Sequence, residues 1–222
     1  MARLLGVVLV SLSLAAFADD AVIRLGSERA ALRETLLRSC PEQKSDIEQL
    51  GSAAATVETF RKLDACGGNN EAFLVQYGSA LNNADRFVDA EVVFRRAMNV
   101  RITEAAQVGL LVALSRQAKL TAAQQQDVAT NIAYFKKRPC FRDDLCAALA
   151  YAAWHLLDKP LAKLSAERAM TFGYKGWQPW FVAGTIEAGG DDKARAISLL
   201  NEAKKRGGPA KDIDGFLEKL GK

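Results

Sequence analysis

Three stretches of this chain place small residues at one spacing. Gly78, Ala90 and Ala97 stand 12 and 7 residues apart, and both Ala150, Ala162, Ala169 and Gly184, Ala196, Ala203 repeat that interval. The segments around them, "YGSALNNADRFVDAEVVFRRA" for the first, read as helix. A glycine inside a helix costs about 1 kcal/mol relative to alanine. Close packing of one helix across another offsets that loss, because only a small residue lets the two approach. The chain is therefore expected to form helical hairpins that cross at these positions. Composition agrees: alanine is abundant while valine, isoleucine and threonine are sparse, which favours helix over strand. With 50% hydrophobic and 25% charged residues, the chain is globular rather than disordered. The expected fold class is all-α.

The step from Ala162 to Ala196 is 34 residues, and that from Ala90 to Ala162 is 72, four more than two such steps. This pattern resembles the tetratricopeptide repeat, a helix–turn–helix unit of 34 residues. Trp180, Ala183, Gly184, Ala196, Leu200 and Ala203 fit its consensus, as do Leu74, Tyr77, Gly78, Leu81, Ala90, Phe94 and Ala97. The match is uneven. A middle unit is degenerate, with Gly109 or Leu110 at the glycine position, Ala122 and Ala129 at the alanines, and glutamines at apolar places. The proline that follows each unit is replaced by Ile102 and Gly208 in the two best copies, and the four extra residues are placed in "RPCFRDD".

The resemblance implies a short right-handed α-solenoid over residues 68–222, with units at 71–101, 103–137, 143–173 and 177–208. Residues 209–220, with Ile213, Phe216, Leu217 and Leu220 on one face, read as a helix capping its end. Residues 19–67 are an irregular helical region. Punctuation agrees: Thr121 with Gln124 makes a capping box, Asp143, Asp158 and Asp191 are candidate N-caps, and Pro160 and Pro179 suit first turns. In such repeats the first helix of each unit lines a concave groove. The resemblance puts Gln76, Ser79, Asn83, Tyr151, Trp154, His155, Phe181 and Thr185 there, with Trp180 as a core tryptophan and Trp177 at the surface.

Residues 1–18 read as a cleaved signal peptide: Arg3, an apolar run from Leu4 to Leu14, then Ala16-Phe17-Ala18. Asp19 and Asp20 follow at once, and the apolar run is short of the roughly 20 residues that span a bilayer. A periplasmic or secreted location is expected. Four cysteines, Cys40, Cys66, Cys140 and Cys146, then suggest two disulfides. Pairing Cys40 with Cys66 requires the helical segment between Pro41 and Leu63 to break, and "LGSAA" near Gly51 is the place. An unbroken helix would hold the two roughly 30 Å apart. Cys140 with Cys146 would then pin the inserted loop.

Nothing in the chain carries recognisable chemistry. His155 is the one histidine, and neither it nor the cysteine spacing suggests a metal site. Asp143-Asp144 and Asp191-Asp192 suit helix starts, and "KKRP" and "KKR", at Lys136 and Lys204, suit helix ends. The net charge of +4, +3 without the leader, is too mild for nucleic acid. The expectation is a non-enzymatic scaffold or adaptor without cofactor, which binds a peptide or protein of the cell envelope. A glycan or small-molecule binder using the aromatic end of the groove is the alternative; a cell-wall hydrolase ranks behind both.

Overall fold

The computed structural model describes residues 26–50 and 55–221, and the side chains from residue 30 onward. The expected leader, Asp19-Asp20, Leu25 and Gly51 lie outside the described residues. What is described is helical: α1 (Gly26–Ser39), a 3-10 turn (Pro41–Gln43), α2 (Lys44–Gln49), α3 (Val57–Gly67), α4 (Glu71–Asn83), α5 (Phe87–Val100) and α6 (Glu104–Ser115). There follow α7 (Ala122–Lys137), α8 (Asp143–His155), α9 (Lys159–Thr171), α10 (Gln178–Glu187), α11 (Lys193–Lys205) and α12 (Ala210–Leu220).

Consecutive helices pair closely: α4 with α5, α8 with α9 and α10 with α11, while α6 joins α5 to α8 and α12 covers α11. The small residues sit where they were predicted to matter. A Cβ on Gly78 would stand 2.8 Å from the Phe94 ring, and one on Gly184 would stand 2.8 Å from Leu200. Gly109 is tighter still, at 2.2 Å from the same ring. Phe94, fully buried on α5, is thus clamped between a glycine of α4 and a glycine of α6.

Turn geometry recurs at the same intervals as the small residues. The left-handed residues Asp85 and Leu157 are 72 positions apart, and the left-handed Gly173 and Gly207 are 34 apart. N-caps follow suit at Arg86, Asp158 and Asp192. The Asp158 carboxylate accepts from the Leu161 amide, and the Asp192 carboxylate from that of Arg195. Two expected caps are corrected. Arg142, not Asp143, caps α8, with Asp143 already inside the first turn, and the cap of α11 is Asp192 rather than Asp191. Asp192 wins because its side chain, one residue nearer the helix, reaches an open amide of the first turn. Thr121 and Gln124 make the expected reciprocal capping box, and Asn70, Thr103 and Thr56 cap three further helices.

The weak middle hairpin has a polar explanation. Helix α7 touches α6 little and buries only Asn131 and Phe135. In place of an apolar seam, Glu91 of α5 accepts from Arg95, Gln117 and Gln124 at 3.0, 2.8 and 2.6 Å, and Arg95 also holds Asp127. Burial alone would raise the Glu91 pKa. The hydrogen bonds from Gln117, Arg95 and Gln124 outweigh it and hold the carboxyl below its ordinary value. Of the glutamines that spoil the apolar pattern, Gln124 serves this carboxylate, while Gln125 and Gln126 bond to Leu120 and Thr130 near them in sequence.

At the N-terminal end α2 stops at Gln49 and α3, which begins at Val57, packs against it. Arg33 of α1 fastens the end of α2 by donating to the carbonyls of Leu50 and Glu48. Cys40 and Cys66 lie at disulfide distance with Cα atoms 6.0 Å apart, and Cys140 and Cys146 do so at 5.4 Å. Two apolar clusters result, one from α1 to α6 and one from α6 to α12. Helix α6 is their common wall, giving Leu110 and Leu114 to the first and Val108, Leu111 and Val112 to the second. Among the described residues no helix is long and apolar enough to cross a membrane.

Candidate functional site

The concave feature of this fold is a groove across α4, α6 and α8. On α4 it is lined by Val75, Ser79, Asn82 and Asn83, on α6 by Ala105, Val108, Gly109 and Val112, and on α8 by Asp144, Leu145 and Ala148. Each set recurs three, four or seven residues along its helix, which places it on one face. This groove has a volume of about 70 Å³ and is bounded at one side by Tyr174, from the turn after α9. A wider hollow of about 420 Å³ adjoins it, lined by Ala31, Leu32 and Thr35 of α1 and by Glu71, Arg101, Glu104 and Arg142. The two share Val75, Ala105 and Leu145 as lining, so they lie side by side across these residues.

The floor is apolar, and four of the charges at the rim form two ion pairs. Arg101 holds Glu71 at 2.8 Å, and the Thr103 hydroxyl donates to the same carboxylate at 2.7 Å. Arg142 grips Asp144 with two bonds of 3.0 and 2.6 Å. Ser79 donates within its own helix to the Val75 carbonyl. Asn82 spans the floor: its Nδ2 donates to the Gly109 carbonyl of α6 at 3.1 Å.

Of the residues expected in a groove, Ser79 and Asn83 line this one. Gln76 is half-buried with its Nε2 turned inward, where among the described residues it has no partner. Thr185 is half-buried and donates to the Val182 carbonyl. The aromatic end is corrected outright. Tyr151 and Phe181 are 2% and 1% exposed and belong to the core, not to a surface. Trp177 is also buried, whereas Trp180, expected in the core, is half-buried with Arg206 stacked 3.7 Å over its ring. Helix α10 is rotated from the expected register, because Trp177, Phe181 and Gly184 share the face that meets α8 and α11.

Tyr151, Trp154, His155, Trp177 and Phe181 form one aromatic cluster, with ring centroids 4.6 to 5.9 Å apart, that joins α8 to α10; Tyr151 and Trp154 are stacked and the other pairs meet edge to face. Its polar tip is a pair. Arg116, at the end of α6, approaches His155 Nε2 at 3.0 Å. Guanidinium nitrogens only donate, so this histidine accepts at Nε2 and keeps its proton on Nδ1. Burial first, and then the neighbouring guanidinium, push the imidazole pKa down to about 4. Burial likewise pushes the Tyr151 phenol up to about 12. The imidazole therefore stays neutral, its lone pair is engaged by Arg116, and the pair ties α6 to α8.

Val75, Asn82, Ala105, Val108, Val112, Leu145 and Ala148 were missed as groove residues. For all but Asn82 a signal was available: small or aliphatic residues at three- and four-residue steps on α4, α6 and α8. It was hidden because the same steps also describe a buried helix face. Comparison of the chain with family models, curated proteins and solved structures finds no match.

Proposed function

We propose that this chain is a non-enzymatic binding module, a short solenoid of tetratricopeptide-like hairpins that holds a peptide or protein segment along α4, α6 and α8. The observation that carries the reading is the groove built from one face of three helices, with an apolar floor, a second hollow beside it and two ion pairs at the rim. Extended segments dock in such channels through apolar pockets and main-chain hydrogen bonds. The 72- and 34-residue recurrence of turn geometry supports the repeat assignment. The signal-like first eighteen residues and the two cysteine pairs support export, and hence a scaffold or adaptor of the cell envelope. Burial of Tyr151, Trp177 and Phe181 speaks against an aromatic glycan platform, which needs exposed ring faces.

The test is capture of partners from envelope extract by matched variants. Ala148→Arg fills the groove floor, and Val92→Arg changes a 55% exposed position of α5 outside it. Loss of a captured protein with the first and retention with the second, both with unaltered melting transitions, is expected. Retention with both removes the groove from consideration.

A further inference from the structure

Helix α7 is the longest described helix, and it buries only Asn131 and Phe135 of its sixteen residues. Both lie in its second half; from Ala122 to Thr130 no residue is buried. The two ends are held by different chemistry. At the far end Phe135 is fully buried in the second apolar cluster, and Lys136 reaches Asp158 of α9 at 2.6 Å. Just beyond it Cys140 lies at disulfide distance from Cys146 of α8. At the near end the ties to α5 are polar. Gln124 donates to the buried Glu91 carboxylate at 2.6 Å, and Asp127 accepts from Arg95 at 2.6 Å. Val128 is half-buried there and packs against both apolar clusters, which among the half-buried residues only Ala105 also does.

These attachments respond differently to separation. Polar side chains exchange protein partners for water at small net cost, whereas a buried ring gives up its whole apolar contact. The start of α7 does not depend on α5 either. Thr121 and Gln124 close their capping box within the segment through Gln124 Oε1, while Nε2 makes the bond to Glu91. Asn131 donates to the Asp127 carbonyl of its own helix and adds no tie to another.

We propose that α7 is a hinged arm whose first half, residues 122–130, disengages from α5 as a unit while the end at Phe135 and Cys140 stays fixed. Glu91 and Arg95 of α5 are the latch. Disengagement withdraws Val128 from the seam where the two clusters meet, so the chain has a second state with that seam open and both clusters packed. This device is independent of the groove reading.

Amide exchange of the full chain under native conditions, read by mass spectrometry on its peptides, tests the proposal. A released helix of this length is marginal in water, so an open arm loses its protection. Residues 122–130 are expected to share one opening and to exchange about tenfold or more faster than α8 to α11. Asp127→Asn keeps helix propensity, and Arg95→Met breaks the same bond from α5. Each should speed exchange of 122–130 by about tenfold, and the double variant no more than Arg95→Met alone. Gln125→Ala, whose side chain donates to the nearby Leu120 carbonyl, should not speed it. Val128→Cys reports the seam: its labelling by a thiol reagent should rise by the same factor when Asp127→Asn is added. If Arg95→Met lowers the global denaturation midpoint, Asp127→Asn alone decides. Four results would each overturn the proposal. These are exchange of 122–130 at the rate of α8 to α11, protection that declines steadily toward Thr121 as in end fraying, Asp127→Asn speeding all helices alike, and Val128→Cys labelling unmoved by Asp127→Asn.

Discussion

Acidification should destabilise this protein through a single side chain. His155 is the only histidine of the chain, so it is the one side chain whose ordinary pKa lies between pH 5 and 7. In the fold, burial and Arg116 lower its pKa from 6.5 to about 4. The unfolded chain then binds a proton between those values that the folded chain refuses, so stability falls as pH falls through this window. At pH 5, 1.5 units below the unfolded value, the loss relative to pH 7 comes to about 2 kcal/mol at 1.36 kcal/mol per unit. The assay is urea denaturation at pH 7 and pH 5 for wild type and His155→Gln, whose amide oxygen can still accept from Arg116. Wild type should lose about 2 kcal/mol more than the variant over the interval. Equal losses in the two proteins would refute the argument, because the imidazole would then titrate alike in both states.

Two glycine substitutions should have opposite signs. Gly109→Ala should destabilise by roughly 1–3 kcal/mol despite alanine's better helix propensity, because its Cβ would overlap the Phe94 ring, and Phe94→Leu in the same chain should restore part of the loss. Gly215→Ala, on α12 with open space at the Cβ, should stabilise by up to about 1 kcal/mol, and thermal melts of both variants check the pair. Replacing Cys40 and Cys66 by serine should cost about 3.5 kcal/mol on loop-closure grounds for a separation of 26, against about 2.2 kcal/mol for Cys140 and Cys146 with a separation of 6. Denaturant titration of the two double variants tests that order.

Much of the architecture was legible because it depends on local rules. Alanine-rich composition made the chain helical, and an oxygen-bearing residue before a helix marked its start, as Asp158 and Thr121 do. The small residues told where helices cross, since a glycine such as Gly78 is kept inside a helix only where a ring like that of Phe94 leaves no room for a Cβ. What the sequence could not settle was orientation about each helix axis. Every residue step turns the helix by about 100°, so a small error of register exchanges core and surface. That is how Trp177 and Phe181 came to be expected outside and Trp180 inside, when the packing of α10 on α8 and α11 places them the other way round. Gln124 of α7 looked like a lost apolar position because its partner Glu91 lies 33 residues before it, on another helix. Asn82 gave no signal either. An asparagine among helical residues reads as surface until tertiary packing buries it and points its Nδ2 at the Gly109 carbonyl. Propensity, caps and crossing points are carried by residues close in sequence, whereas the groove exists only once α4, α6 and α8 stand side by side.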